Sequence, residues 1–364
     1  MPRNLSQPAL RRSYQFALFL AGVLWIIAAD AAACSSAQGI ATRLNIPVFE
    51  ELIEQAFFLF LLLCGFSTLR WIATRTTTDI RATNALPSRP TTAQEWQRGA
   101  ALGWGMLLFA ILPMMLTGNL HPQFQLAPRI WALALLSIAT IALATFALEV
   151  AFRGFVFARL IDAIGPTAAT ILLSLIYAYI SAIRPNAIGL SVVVTFLLAT
   201  LFSQAYLRTH ALWLGWGLHF AWNASMAILF GLPIAGYATY SNLVFTSTSG
   251  PDWLTGGPYG PEAAIFTIIV VIVAMFVLHR ITRTYAWDYT HPPIVSAGYP
   301  MDIAPPPAHT AMETAAATAP APLVQILTTT STTSSTNPTI DDHLRRNPNS
   351  DNSRSSSQRE KPAR

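Results

Sequence analysis

The stretch Leu148-Glu149-Val150-Ala151-Phe152-Arg153-Gly154 places a carboxylate and a guanidinium four residues apart inside an apolar run that is long enough to cross a bilayer. On a helix, positions i and i+4 share a face, so Glu149 and Arg153 can pair there, with the glutamate on the favoured N-terminal side. An uncompensated arginine near the centre of a membrane helix costs roughly 2.5–3.5 kcal/mol on insertion scales, so such residues usually face the interior of a helical bundle. The pair alone is equally consistent with a structural clamp and with a functional site.

The overall composition is that of a membrane protein. Of the 364 residues, 53% are hydrophobic and only 11% are charged, well below the charged share of an ordinary soluble domain. The net charge of +5 comes almost wholly from arginine, since Lys361 is the only lysine, and the arginines cluster between the apolar runs. Such arginines indicate membrane topology and not a nucleic-acid surface. Membrane lipid is therefore an expected partner, and nucleic acid is not.

Eight apolar runs predict an all-α, polytopic membrane helical bundle of about eight transmembrane helices. Two runs and a basic linker make up residues 1–98, and the other six form a helical core at 99–284. Residues 285–364 are rich in Pro, Thr, Ser and Ala and predict a disordered tail, because they cannot bury enough apolar area to offset their ordering entropy. The runs lie at about 14–33, 52–72, 100–116, 130–157, 167–183, 188–206, 212–230 and 263–278.

The arginines also predict the orientation of an integral, multi-pass membrane protein. If eight runs alternate across the bilayer, most of the arginines fall on one side, which should be the cytoplasmic side and should hold both termini. Three arginines fall on the opposite side: Arg43, Arg129 and Arg184.

A second pair of polar residues lies four positions apart in the seventh run. His219 and Asn223 share one helical face among tryptophans, which favours a cavity over an interfacial belt, and Gly215 and Gly217 would let neighbouring backbones approach closely. At a rise of about 1.5 Å per residue, Glu149 and His219 can lie at similar membrane depth. Interhelical hydrogen bonding and a catalytic role are both open for this pair.

Four motifs occur in one order along roughly residues 95–280. Together they resemble the CPBP family of intramembrane proteases, also called the CAAX prenyl protease or bacteriocin-processing type. The motifs are Glu149-x-x-x-Arg153-Gly154-Phe155, then Tyr206-Leu207-Arg208-Thr209, then Gly217-Leu218-His219-Phe220-Ala221-Trp222-Asn223, then Leu254-Thr255-Gly256-Gly257-Pro258-Tyr259-Gly260-Pro261-Glu262.

The resemblance implies a bundle of about eight spans and a defined set of site residues. The family scheme has a glutamate pair with a downstream arginine, a histidine on the next helix, and a later histidine with an asparagine four residues on. In that scheme the first glutamate and the first histidine activate water, while the later histidine and asparagine stabilise the oxyanion. A divalent metal such as zinc is invoked for some members, so the resemblance leaves metal binding open.

The family pattern is incomplete in this chain. Glu149, Arg153, His219 and Asn223 match it, but the first glutamate falls on Leu148, and the first histidine falls on Ser181 in Tyr177-Ala178-Tyr179-Ile180-Ser181. Leucine has no lone pair, and serine near neutral pH is no base without a partner that takes its proton. One residue along a helix turns a side chain by about 100°, so Glu149 should point away from the direction taken at position 148.

The sequence therefore predicts a member of the CPBP endopeptidase family whose activity is weakened or absent. One alternative is an active intramembrane endopeptidase that uses Glu149 and His219 on a membrane-embedded or prenylated peptide. Another is a non-catalytic protein that binds membrane proteins or peptides, for instance as a scaffold. A transporter is the third, although no repeat with paired interrupted helices is visible.

Overall fold

The computed structural model describes residues 8–75, 79–240 and 242–283, with side chains from residue 11 onward. All of these residues lie in one compact unit, Met1–Ile294. The tail predicted at 285–364 lies outside the described residues.

Helices make up most of the described chain, which confirms the predicted all-α membrane bundle. Long apolar runs without internal breakers form the longest of them. The helices are α1 Pro8–Leu44, α2 Glu50–Thr74, α3 Ile80–Thr83, α4 Thr92–Leu116, α5 Pro128–Arg153, α6 Phe155–Ile164, α7 Pro166–Ala182, α8 Gly189–Thr209, α9 Trp213–Ala224, α10 Asp252–Thr255 and α11 Ile265–Ile281, with short 3₁₀ turns at Pro47–Phe49, Gly257–Tyr259 and Pro261–Ala263.

Within the described residues, five segments are long and apolar enough to cross a membrane, which makes the chain an integral membrane protein. Two of the other predicted spans are the shorter apolar helices α7 and α11. The predicted seventh span is α9 followed by a π-helical segment, Ser225–Leu229. The five segments are Arg11–Leu44, Pro47–Thr74, Thr92–Leu116, Pro128–Ile164 and Gly189–Thr209. Eight crossings and cytoplasmic termini stay predictions.

The predicted fourth span, 130–157, is interrupted at Gly154. The backbone of Gly154 has φ −78° and ψ −124°, which leaves the helical region and ends α5 directly after Arg153. The next helix, α6, packs against α1, where a Cβ on Gly22 would lie 2.8 Å from Val156 Cγ2. The single run predicted from composition is therefore two helices, and the second one is held by the N-terminal helix.

Glycines bring α4 and α9 into backbone contact. A Cβ on Gly99 would lie 2.1 Å from Leu214 O, and one on Gly103 would lie 2.3 Å from Leu218 O. From the other side, a Cβ on Gly217 would lie 2.2 Å from Trp96 O. This small-residue packing, typical of membrane helices, fixes α9 against α4.

Two short strands were not predicted. Strand β1 Leu120–Phe124 pairs antiparallel with β2 Val244–Thr248, with Leu120 opposite Thr248. The pairing joins the α4–α5 connection to the loop that precedes α10.

Two buried clusters of side chains include sequence neighbours of the site residues. One includes Val150 of α5 with residues from α1, α2, α6 and α7. The other includes Leu218 of α9 with residues from α4, α8 and α11. Val150 and Leu218 are sequence neighbours of Glu149 and His219, so the two clusters hold the helices that carry these site residues.

Candidate intramembrane site

The carboxylate of Glu149 joins α5 to α9. The Nδ1 atom of His219 lies 2.9 Å from Glu149 Oε1, and Arg153 Nη1 lies 3.5 Å from the same oxygen. All three residues are buried, with exposures of 1%, 0% and 5% for Glu149, Arg153 and His219. An ionised carboxylate beside a guanidinium can only accept, so Nδ1–H of His219 is the donor.

The guanidinium of Arg153 is surrounded by aromatic rings. It lies 5.1 Å from the ring centroid of Tyr177 and 5.2 Å from that of Phe202. The His219 ring stacks on Phe202 at 4.6 Å, and Arg153 Nη2 donates to Ala199 O at 3.4 Å. Arg153 thus pairs with the carboxylate that contacts the His219 ring, and both a structural clamp and a functional site stay predictions for the Glu149–Arg153 pair.

Four of the six family positions line one cavity of about 320 Å³: Leu148, Ser181, His219 and Asn223. Glu149 is not among the lining residues. Its Oε2 instead lies 3.1 Å from where a Cβ on Gly215 would stand, so Gly215 makes room for the carboxylate. Because Nδ1 of His219 is hydrogen-bonded to Glu149, Nε2 is the ring nitrogen that remains available to the cavity.

Ser181 belongs to a cluster of hydroxyl groups. Its Oγ lies 2.7 Å from the Tyr259 hydroxyl and 3.0 Å from Thr195 Oγ1, and the residue is 2% exposed. Tyr259 lies in the loop between α10 and α11. Burial, followed by the Glu262 carboxylate, raises the pKa of Tyr259, while the Ser181 hydrogen bond and the Arg184 guanidinium act in the opposite direction. The phenol therefore stays neutral at pH 7, and the cluster contains no base.

Asn223 lines the cavity with an unused acceptor. The residue is buried, and its Oδ1 has no hydrogen-bond partner among the described residues. Buried polar atoms are normally paired, so this amide is available to a ligand in the cavity.

Three charged residues of the cavity were not assigned to the site from the sequence: Glu51, Arg184 and Glu262. Glu262 Oε1 accepts from Trp222 Nε1 at 3.0 Å, and its Oε2 accepts from the Ala235 amide at 2.8 Å. Glu51 accepts from the Tyr240 hydroxyl. Glu262 could have been found, because it ends the fourth motif. Glu51 and Arg184 lie at the ends of apolar runs, where charged residues are common, so the sequence does not distinguish them.

The residues present do not fit a zinc site. Catalytic zinc is usually held by three protein ligands, and the described residues contain no group of three His, Cys, Asp or Glu side chains placed to hold a metal. Within the family positions, Leu148 offers no donor atom, and Nδ1 of His219 is already bonded to Glu149.

Fold and site together define a class: an integral membrane helical bundle whose cavity has polar and charged side chains among apolar ones. Residues 129–225, from α5 to the end of α9, match the family model described as type II CAAX prenyl endopeptidase Rce1-like. This match confirms the resemblance to the CAAX-type (CPBP) protease family over those helices. Comparisons with curated proteins and with solved structures gave no match.

Proposed function

We propose that the protein binds a membrane-embedded or prenylated peptide in its central cavity and hydrolyses it weakly or not at all. The observation that carries this proposal is that the side chain of Leu148, and not that of Glu149, lines the cavity. Leu148 lines the cavity with Ser181, His219 and Asn223, while the carboxylate of Glu149 lies behind the His219 ring.

The chemistry follows from which groups reach the cavity. Attack by water needs a base, and general-base help is worth about 10²–10⁴-fold in rate. Leu148 supplies none, and Ser181 is bonded to two neutral hydroxyl groups. Asn223 and a protonated His219 could still stabilise an oxyanion, worth about 10²–10³-fold per donor, but without an activated water there is little turnover.

Other carboxylates near the cavity are already engaged. Both oxygens of Glu262 accept hydrogen bonds from Trp222 and Ala235, and Glu51 is bonded to Tyr240. Glu149 is held by Arg153 and His219. None of these three groups replaces a free carboxylate at position 148.

The 2.9 Å contact between Glu149 and His219 favours a second candidate, an active peptidase. A carboxylate that holds Nδ1–H leaves a lone pair on Nε2, which is how such a group orients a histidine base. The same nitrogen cannot then donate to the oxyanion, so Asn223 would be the remaining donor of the pair.

The test separates binding from cleavage in the purified full-length protein. We expect an apolar peptide carrying a photo-crosslinker to label the cavity without being cleaved, as read by mass spectrometry. Leu148→Glu with Ser181→His should gain cleavage, whereas Leu148→Gln with Ser181→Asn, of similar size but without a base, should not.

Two results would contradict the proposal. Cleavage by the wild-type protein that disappears in His219→Ala would support the active peptidase. Failure of the peptide to label any cavity residue would remove the binding function.

A further inference from the structure

Arg184 carries a free positive charge at the cavity. It lies two residues beyond the end of α7, is partly buried, and lines the cavity. Its guanidinium makes no hydrogen bond and no ion pair to any residue in the described ranges. It is near enough to Tyr259 for its charge to lower the pKa of that phenol.

The lack of a partner is notable because two carboxylates line the same cavity. Glu262 is occupied by the Trp222 indole and the Ala235 amide, and Glu51 is occupied by the Tyr240 hydroxyl. Neither lies within ion-pair distance of Arg184. Since a partly desolvated cation is costly unless it is paired, this position favours an anion supplied by a ligand.

We propose that Arg184 binds the C-terminal carboxylate of the peptide held in the cavity, an inference that rests on the proposed function. A guanidinium matches a carboxylate with two parallel N–H···O bonds, which gives both energy and direction. The Arg184 amide also donates to Ser181 O at 3.2 Å, so this subsite adjoins the family position at 181. The terminal residues of the peptide would thus lie beside Ser181.

The cavity suits a peptide end better than a phospholipid. Its volume of about 320 Å³ is at the lower end of the ~300–1,000 Å³ typical of ligand pockets, which is enough for a few residues but not for two acyl chains. Its lining includes hydroxyl and amide groups of Thr145, Ser181, Thr195 and Asn223, which can bond to a peptide backbone. A separate groove of about 490 Å³ between α4 and α11 is lined by apolar residues alone and suits lipid chains.

The experiment compares two versions of one labelled apolar peptide, with a free carboxylate and with a carboxamide, on full-length protein in detergent. Fluorescence polarisation should show that wild type prefers the carboxylate by about tenfold or more, as expected for a hydrogen-bonded charge. Arg184→Gln should bind both peptides equally, and Arg184→Lys should keep part of the preference. Arg129→Gln, at an exposed arginine outside the cavity lining, should behave like wild type.

The outcomes separate the two proposals. Equal binding of the two peptides by wild type would overturn this inference and leave the proposed function standing, whereas binding of neither would overturn both. A preference that survives in Arg184→Gln, with unchanged thermal stability, would also overturn it. So would competition by a short-chain anionic phospholipid, lost in Arg184→Gln, that exceeds competition by the carboxylate peptide.

Discussion

The two sides of the central cavity are supported in different ways. On the α9 side, His219 is held by a buried carboxylate, which is itself held by a buried guanidinium among aromatic rings. On the opposite side, Leu148 brings no polar group, and Ser181 joins neutral hydroxyl groups of Thr195 and Tyr259. The comparison teaches that a buried ion pair supports α9 through His219, whereas the groups at positions 148 and 181 carry no charge.

The largest effect is expected from removing Arg153. Arg153→Met leaves the Glu149 carboxylate buried without its cation, and breaking a buried pair in this way typically costs about 3–5 kcal/mol. Thermal unfolding in detergent should show the loss. Arg129→Met is the control, because Arg129 is exposed in the first turn of the same helix, where a surface substitution usually changes stability by no more than about 0.5 kcal/mol. An equal loss in both variants would mean that the α9 side has no special support.

A smaller effect is expected from the backbone contact that sets α9 against α4. In Gly103→Ala, the new Cβ would stand 2.3 Å from Leu218 O, the carbonyl next to His219, so the helices must separate. Overpacking of this kind costs about 1–3 kcal/mol. Gly105→Ala on the same helix meets nothing within 4 Å and should be neutral or stabilising by about 0.5–1 kcal/mol. If the two variants melt alike, the packing does not position the histidine helix.

The smallest effect on stability is expected on the side of the cavity lined by Leu148 and Ser181. Ser181→Ala removes hydrogen bonds to Thr195 and Tyr259, and such bonds between membrane helices contribute on average about 0.6 kcal/mol. Thr170→Ala on the same helix, whose hydroxyl only bonds back to Pro166 O, is the matched control and should show no measurable change. A loss in Ser181→Ala as large as that in Arg153→Met would erase the difference between the two sides.

Much of the fold follows from apolar runs. Helices α2, α7, α8 and α11 lie within a few residues of their predicted bounds, because long apolar segments have few alternatives in a bilayer. The break at Gly154 was not predicted, since a single glycine is often tolerated inside a helix. The β1–β2 pair was also missed, because it joins residues more than one hundred positions apart and no local sequence pattern predicts it.

The site was predicted unevenly for a similar reason. Helical rotation alone predicted that positions 148 and 149 point in different directions, and only Leu148 lines the cavity. The contact of Glu149 with His219 depends on packing between helices seventy residues apart, for which the sequence indicates only similar depth. For close approach of backbones, Gly215 and Gly217 were identified from the sequence. The spacing Gly99-x-x-x-Gly103 also indicates the α4–α9 contact and was missed.

The contact between α1 and α6 has a consequence for how the chain is made. Gln15 bonds to Arg159, 144 residues later, so at about 5–20 residues per second the ribosome needs roughly 7–30 s to deliver the partner. During that interval the face of α1 that carries Phe19 and Gly22 has only lipid or the insertion machinery to cover it. A nascent chain that stops before α6 therefore leaves that face of its first helix without the partner it has in the complete fold.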